Sequence, residues 1–270
     1  MMRKELVSLI ADAVAEVLRD HMASTSAGGT APGLSHPLDK EALHRMKQST
    51  TARIGVGRAG PRLKTQTLLT LRADHAKARD AVLLDVDPAF LEKLGLFSVQ
   101  TKCVTKDEYL TRPDLGRQLS QAAIETLRTR CVPAPDVQIF VADGLSSMAV
   151  MANVSRLLPV LTAGLQHAGL TVGTPFFVRF GRVGVEDQIA ELLQAKVVCA
   201  LIGERPGLGS AESMSAYLCY MARVGMPESR RTVVSNIHQG GINAAEAGAY
   251  IAELAGKILE HRASGVELQR

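Results

Sequence analysis

Val137-Gln138-Ile139-Phe140-Val141-Ala142, closed by Asp143-Gly144-Leu145-Ser146, is the segment from which the fold can be read. Residues 137–142 are apolar but for Gln138 and show no polar alternation, the mark of a strand buried on both faces. A sheet is buried on both faces only when helices cover it above and below, which makes the protein α/β with a parallel sheet. The chain downstream agrees. A helix is predicted over residues 147–167, then a strand at 176–180, a helix at 186–194 and a strand at 197–202. A further strand at 232–234 precedes a terminal helix at 244–261. Strand–helix alternation implies right-handed crossovers. Ligands of open α/β sheets sit beyond the carboxyl ends of the strands, here the loops after residues 142, 202 and 234.

Upstream, Pro133 and Pro135 interrupt the chain, and residues 39–134 read as mainly helical. Residues 67–84 place Leu68, Leu71, His75, Ala78 and Val82 on one face. Pro113 is predicted to open another helix, with Leu115, Leu119, Ala122 and Leu127 as its stripe. Residues 4–20 form an amphipathic helix in which Leu6, Ile10, Val14 and Val17 oppose Glu5, Asp12, Glu16 and Arg19. Residues 24–37, rich in Ser, Thr, Gly and Pro, read as a flexible linker. So short a helix needs a surface to dock on, its own domain or another. The expected organisation is therefore a helix and linker over 1–38, a helical partner-binding region over 39–134, and an α/β domain over 135–270.

Composition narrows the function classes. Of 270 residues 46% are hydrophobic and 21% charged, ordinary for a globular protein. Only 4% are aromatic and none is Trp, which argues against a surface that stacks bases. A net charge of +4 is too small to imply nucleic acid, and Arg53, Arg58, Arg62 and Lys64 form the one basic cluster. Cys103, Cys131, Cys199 and Cys219 are scattered without a CxxC, so neither zinc nor a disulfide framework follows, and a reducing cytoplasm is expected. No stretch approaches the about 18 unbroken apolar residues of a membrane helix, and the acidic residues of the N-terminus do not suit a secretory signal.

Gly55-Val56-Gly57-Arg58-Ala59-Gly60 matches the dinucleotide fingerprint G-x-G-x-x-G. Its context does not: little apolar sequence precedes it and Pro61 follows. A nucleotide site and a glycine turn presenting Arg58 and Arg62 to a partner are both open. Asp143-Gly144-Leu145-Ser146 and Glu204-Arg205-Pro206-Gly207-Leu208-Gly209 each end a strand, and their glycines let a backbone approach a ligand. His238-Gln239-Gly240-Gly241 gives H-x-x-G, the tail of the D-x-H-x-x-G string by which some cobalamin proteins ligate cobalt. Asn236 stands where the Asp would be and cannot supply its charge. His238 is therefore expected to be structural. No G-x-S-x-G, H-E-x-x-H or P-loop lysine occurs, and no catalytic residue or metal ligand is assigned.

Taken together, several strings resemble the small subunits of ethanolamine ammonia-lyases. They are ARIGVGRAGPRLKT at 52–65, YLTRPDLG at 109–116, DGLS at 143–146, GTPFFVRFGRV at 173–183, EDQI at 186–189, GERPGLG at 203–209 and SNIHQGG at 235–241. They run in family order. The resemblance implies a Rossmann-like C-terminal domain that holds the lower face and nucleotide tail of adenosylcobalamin, base-on, against a large barrel-shaped subunit. It implies a radical conversion of ethanolamine to acetaldehyde and ammonia, inactivity of this chain alone, and a cytoplasmic location within a bacterial microcompartment. The N-terminal helix then becomes a candidate contact with the compartment's shell. The family's cofactor contacts fall on Val183, Glu204 and Val233, the last a position where the family often has Cys. Arg182 and Arg205 are added as neighbours able to reach polar groups of the tail. Two readings from other classes are a dehydrogenase using a dinucleotide at residues 55–60 and a non-catalytic scaffold protein.

Overall fold

The computed structural model describes residues 33–50 and 52–268. The expected helix at 4–20 and most of the expected linker lie outside them. The first helix among the described residues is α1 (Lys40–Gln48), whose Ala42 amide donates to the N-cap Asp39 at 2.8 Å. A small hairpin, β1 (Arg58–Ala59) and β2 (Arg62–Leu63), leads into α2 (Thr65–Leu83), followed by α3 (Pro88–Lys93). Then come β3 (Phe97–Gln100), α4 (Lys106–Thr111) and α5 (Gln121–Arg130). Strand and helix alternate through β4 (Val137–Ala142), α6 (Ser147–His167), β5 (Phe176–Arg179), α7 (Val185–Leu193) and β6 (Val197–Gly203), after which β7 (Met214–Tyr220) and β8 (Thr232–Ile237) follow without an α-helix before α8 (Ala244–His261).

Six strands form one sheet in the order β3-β5-β4-β6-β7-β8. The pairs β3/β5, β5/β4 and β4/β6 are parallel, and β6/β7 and β7/β8 are antiparallel. Three differences from the sequence reading stand out. First, the sheet is mixed rather than wholly parallel, because β7, a strand that the strand–helix alternation does not predict, runs antiparallel to both β6 and β8. Second, residues 39–134 are not all helical: β3 lies among them yet completes the sheet, since its Phe97 pairs with Phe176. Third, Pro113 opens no α-helix. A single 3-10 turn at Leu115–Arg117 follows it, and α5 begins later, where Ser120 Oγ accepts from Ala123 N at 3.2 Å. A hydroxyl that can cap the amides decides the start.

Period-two geometry divides the core. Val137, Ile139 and Val141 of β4 face α6 and α8, while Phe140 and Ala142 face α5 and α7. All six β4 residues are buried, as the apolar run requires. Among the described residues α6 alone has the length and apolarity to cross a membrane. Here it packs on the sheet through Val150, Val154, Leu157 and Leu161, each contributing about 1.5–3 kcal/mol by burial. It meets α8 closely, because a Cβ on Gly248 would lie 2.8 Å from Leu157 O.

Two reversals of direction leave β8 parallel to β6, so five of the six strands end at one edge. The ends of β4, β5 and β6 are in contact there. Leu145 N donates to Gly203 O at 2.8 Å, and Ser146, the N-cap of α6, donates its hydroxyl to Ala211 O at 2.6 Å. Asp143 is 1% exposed and accepts from Phe180 N at 3.0 Å and Gly181 N at 3.2 Å. Phe180 is thereby held at φ +58°, in the left-handed region that a bulky residue seldom adopts. Burial pushes the Asp143 carboxyl up to about 6, against the pull of the two amides and of Lys106.

Two outcomes are expected from this edge. A Cβ on Gly203 would lie 2.1 Å from Ser146 O and 2.5 Å from Asp143 O, both backbone atoms, whereas one on Gly209 meets nothing within 4 Å. Gly203→Ala should cost at least about 2 kcal/mol in denaturant unfolding, while Gly209→Ala should be neutral. Between pH 3.8 and about 6 the folded chain holds a proton on Asp143 that the unfolded chain releases. Its stabilising contribution is full below pH 3.8 and is lost as pH rises through about 6, a change of about 3 kcal/mol. Asp143→Asn should flatten that segment of the stability–pH curve; an unaltered slope would show that Asp143 does not titrate there.

Candidate functional site

The residues after β5 and β6, among them Arg182, Val183, Glu204 and Arg205, lie at the carboxyl edge, whereas Val233 is the second residue of β8 and sits within the sheet. After β5, residues 180–184 pass beneath α4 and the 3-10 turn. Tyr109 donates its hydroxyl to Gly181 O at 3.3 Å, and Arg182 N donates to Gly116 O at 2.9 Å. Arg182 folds back onto Tyr109: its guanidinium stands 4.3 Å over the ring, and Nη2 donates to Tyr109 O at 2.8 Å. Its Nε is buried and has no hydrogen-bond partner among the described residues. Val183 is half-buried and packs against the core under α5 and α7.

After β6 the chain turns outward. Glu204 N donates to Ser213 O at 2.9 Å, so Glu204 opens the β6–β7 connection, and its side chain is half-buried. Its Oε1 accepts from the Tyr217 hydroxyl at 2.6 Å, and its Oε2 has no partner among the described residues. Tyr217 is the Cα partner of Val233 across the antiparallel β7/β8 pair. Directly opposed residues point to the same face, so Val233, 47% exposed, lies beside the Tyr217 ring. Arg205 is exposed next to Glu204. Glu204, Tyr217 and Val233 thus form one cluster on the α5/α7 side of the sheet, and Val183 follows β5, which is separated from β6 by β4. Burial, then the Glu204 carboxylate, raise the Tyr217 phenol far above its ordinary range, so it is a permanent donor.

Beneath the cluster, a buried ion network locks the start of β8. Arg231, two residues before Val233, has a side chain 2% exposed. It donates through Nε to Glu186 Oε1, through Nη2 to Asp187 Oδ1 at 2.7 Å and through Nη1 to Glu228 Oε2 at 2.6 Å. Burial holds the Glu186 carboxyl well above its usual range despite Arg231. Removing Arg231 would leave the buried acids Glu186 and Asp187 without their cation.

A cleft of about 550 Å³ opens between the GERPGLG loop and the loop after β8, with Lys77, Glu212, Asn236 and His238 on its walls. His238 is used internally. Its Nδ1 accepts from Gly240 N at 3.1 Å, its amide donates to Ile242 O, and its carbonyl accepts from Gly241 N. Asn236 takes φ +60°, a conformation that Asn tolerates better than most residues. The glycine string at 55–60 lies in and around the β1/β2 hairpin, outside the six-stranded sheet. It is not a strand-to-helix turn of that sheet, so the geometry that a dinucleotide fingerprint requires is missing. The neighbouring basic residues brace the fold: Arg53 bonds Asp74 at 2.6 Å and Leu208 O at 2.8 Å, and Lys64 bonds Ser35.

Sequence reasoning passed over Tyr217 and the acceptor role of Asp143. The first lies in β7, whose alternation of small and polar residues was not read as a strand. The second had a signal, an Asp-Gly pair directly after a buried strand. Among the described residues no group of three or more His, Cys, Asp and Glu is disposed to hold a metal.

Residues 40–269 match the family described as "Ethanolamine ammonia-lyase light chain". The chain is 56% identical over 236 residues to the ethanolamine ammonia-lyase small subunit of Clostridium tetani, covering 87% of this chain and 80% of that protein. It is 53% identical to the small subunit of Fusobacterium nucleatum and 52% identical to that of Clostridium perfringens, with the same coverage. The strand-end loops carry strings by which the sequence resembled this family. The chain belongs to the ethanolamine ammonia-lyase small-subunit family.

Proposed function

We propose that this chain holds the lower face and nucleotide tail of adenosylcobalamin, base-on, against the large subunit of an ethanolamine ammonia-lyase. In this reading residues 135–270 are a Rossmann-like cobalamin-binding domain. The observation that carries it is Glu204, a half-buried carboxylate with one oxygen fixed by Tyr217 and the other without a partner among the described residues. Beside it stands the exposed Val233. The donor set fits the group: a corrin is an apolar ring rimmed by amides, whose N–H groups a carboxylate can accept. A valine at 233 suits an apolar or backbone contact and excludes a thiol contact.

When bound, the cofactor supplies radical chemistry, through homolysis of its cobalt–carbon bond, that converts ethanolamine to acetaldehyde and ammonia. The work of this chain is binding and orientation. Glu204 accepts amide N–H groups, Val183 and Val233 support the ring, and the exposed Arg205 faces polar groups of the tail, while Arg182, committed to Tyr109, braces the loop that carries Val183. The large subunit supplies the ethanolamine side. Residues 39–134 are the partner-binding region, and its first elements are underpacked. α1 buries no residue, α2 buries only Thr67, Ala78 and Ala81, and Leu69 and Leu83 are 59% and 51% exposed. Such apolar exposure suits a face that another subunit covers. The amphipathic segment at 4–20 serves as an address toward a microcompartment shell, which places the enzyme in the cytoplasm within such a compartment.

Reconstitution tests the assignment. Ethanolamine should be converted only when this chain, the large subunit and adenosylcobalamin are combined; turnover by this chain and cofactor without the large subunit would overturn it. His238→Ala should leave the visible absorption spectrum of the bound corrinoid unchanged, since the internal hydrogen bonds of His238 fit a structural role. A spectral shift would mean that the imidazole ligates cobalt.

A further inference from the structure

We propose that Tyr217 is a positioning residue for cofactor binding: its hydroxyl orients the Glu204 carboxylate so that the second oxygen faces the ligand. The inference rests on the reading that Glu204 meets the cofactor, and it assigns a role to a residue outside the strings that carry the family resemblance.

Glu204 has little else to hold it. It sits in the first residue of a connection rich in glycine, and its backbone is tied to the sheet by the single bond to Ser213 O. A free glutamate side chain samples many rotamers and loses that freedom on binding. The Tyr217 hydroxyl removes the freedom beforehand. At 2.6 Å the contact has the length of a charge-assisted O–H···O bond, and it occupies Oε1. The lone pairs of Oε2 are then the ones left for N–H groups of a ligand. Tyr217 is itself placed by the sheet, paired with Ala200 of β6 on one side and Val233 of β8 on the other. The same pairing sets Val233 next to the phenol ring. One tyrosine therefore joins the polar and the apolar contact into a rigid surface.

Removal of a single oxygen separates this role from packing, because Tyr217→Phe keeps the ring. The experiment is a double-mutant cycle on cobalamin affinity in the assembled two-subunit enzyme, with assembly checked by co-elution. Tyr217→Phe should weaken affinity about tenfold, and Glu204→Ala by ten- to a hundredfold. The double variant should be no weaker than Glu204→Ala alone. Glu204→Gln keeps an oxygen for the hydroxyl and should retain part of the Tyr217→Phe penalty. The KM for ethanolamine at saturating cofactor should not change. Native affinity in Tyr217→Phe, or full additivity with Glu204→Ala, would overturn the inference while leaving the cofactor site standing. Failure of the unmodified complex to bind cobalamin would instead remove the underlying reading, and the inference with it.

Discussion

The Asp143 carboxylate is the interaction on which the functional edge depends. It ends the central strand, is buried, and spends its oxygens on the Phe180 and Gly181 amides at the end of the next strand. Those two bonds hold Phe180 in a left-handed conformation and turn the chain toward Arg182 and Val183. An unpaired buried amide would cost about 1–3 kcal/mol, so the carboxylate and the turn require each other. The close approach of Gly203 to Asp143 and Ser146 carries the same rigidity to the end of β6, where Glu204 begins.

The mixed sheet gives the edge its one-sided character. Helices cover both faces of β4, and β7 and β8 extend the sheet on the far side of β6. Their strands remain covered by α8 on one face, while Val233 on the other face is open. An antiparallel β7 is what brings β8 back into the direction of β6, so that the loop holding His238 rises on the same side as the GERPGLG loop. Had β7 been absent, Glu204 would have lacked its hydroxyl partner and the edge its apolar neighbour. The Arg231 network then fixes where β8 starts, and with it the register that sets Val233 opposite Tyr217.

Local chemistry explains which parts of this were legible. The apolar run of β4 and β6, the Ser146 cap and the 3.6-residue stripe of α6 are short-range signals, and the observed bounds of β4 and α6 coincide with the expected ones. Asn236 could be read as ill suited to support a metal-ligating His238, and the hydrogen bonds of that loop agree with a structural role. β3 and β7 were not legible for opposite reasons. Four residues, Phe97–Gln100, are too few for periodicity to register. Met214–Tyr220 alternates clearly, but Ser215, Tyr217 and Cys219 make its second face look polar when in place they are packed or hydrogen-bonded. Pro113 misled because proline permits a helix start without enforcing one, and the Ser120 hydroxyl captured it.

The sequence by itself determined the α/β class, the central strand and its flanking helices, the loops at the carboxyl edge and, through its strings, the family. Each of these follows from residues close together in the chain, where burial pattern, caps and turn residues act directly. Tertiary structure alone decided that β3 closes the sheet, that β7 reverses direction, and that Glu204, Tyr217 and Val233 meet. Glu204 and Tyr217 are 13 residues apart, and a further 16 separate Tyr217 from Val233. Only the backbone ladder that pairs Gly203 with Met214 and Tyr217 with Val233 brings them within reach. Ladder register is a property of two strands at once, set by long-range burial and hydrogen bonding, and no single stretch of sequence contains it.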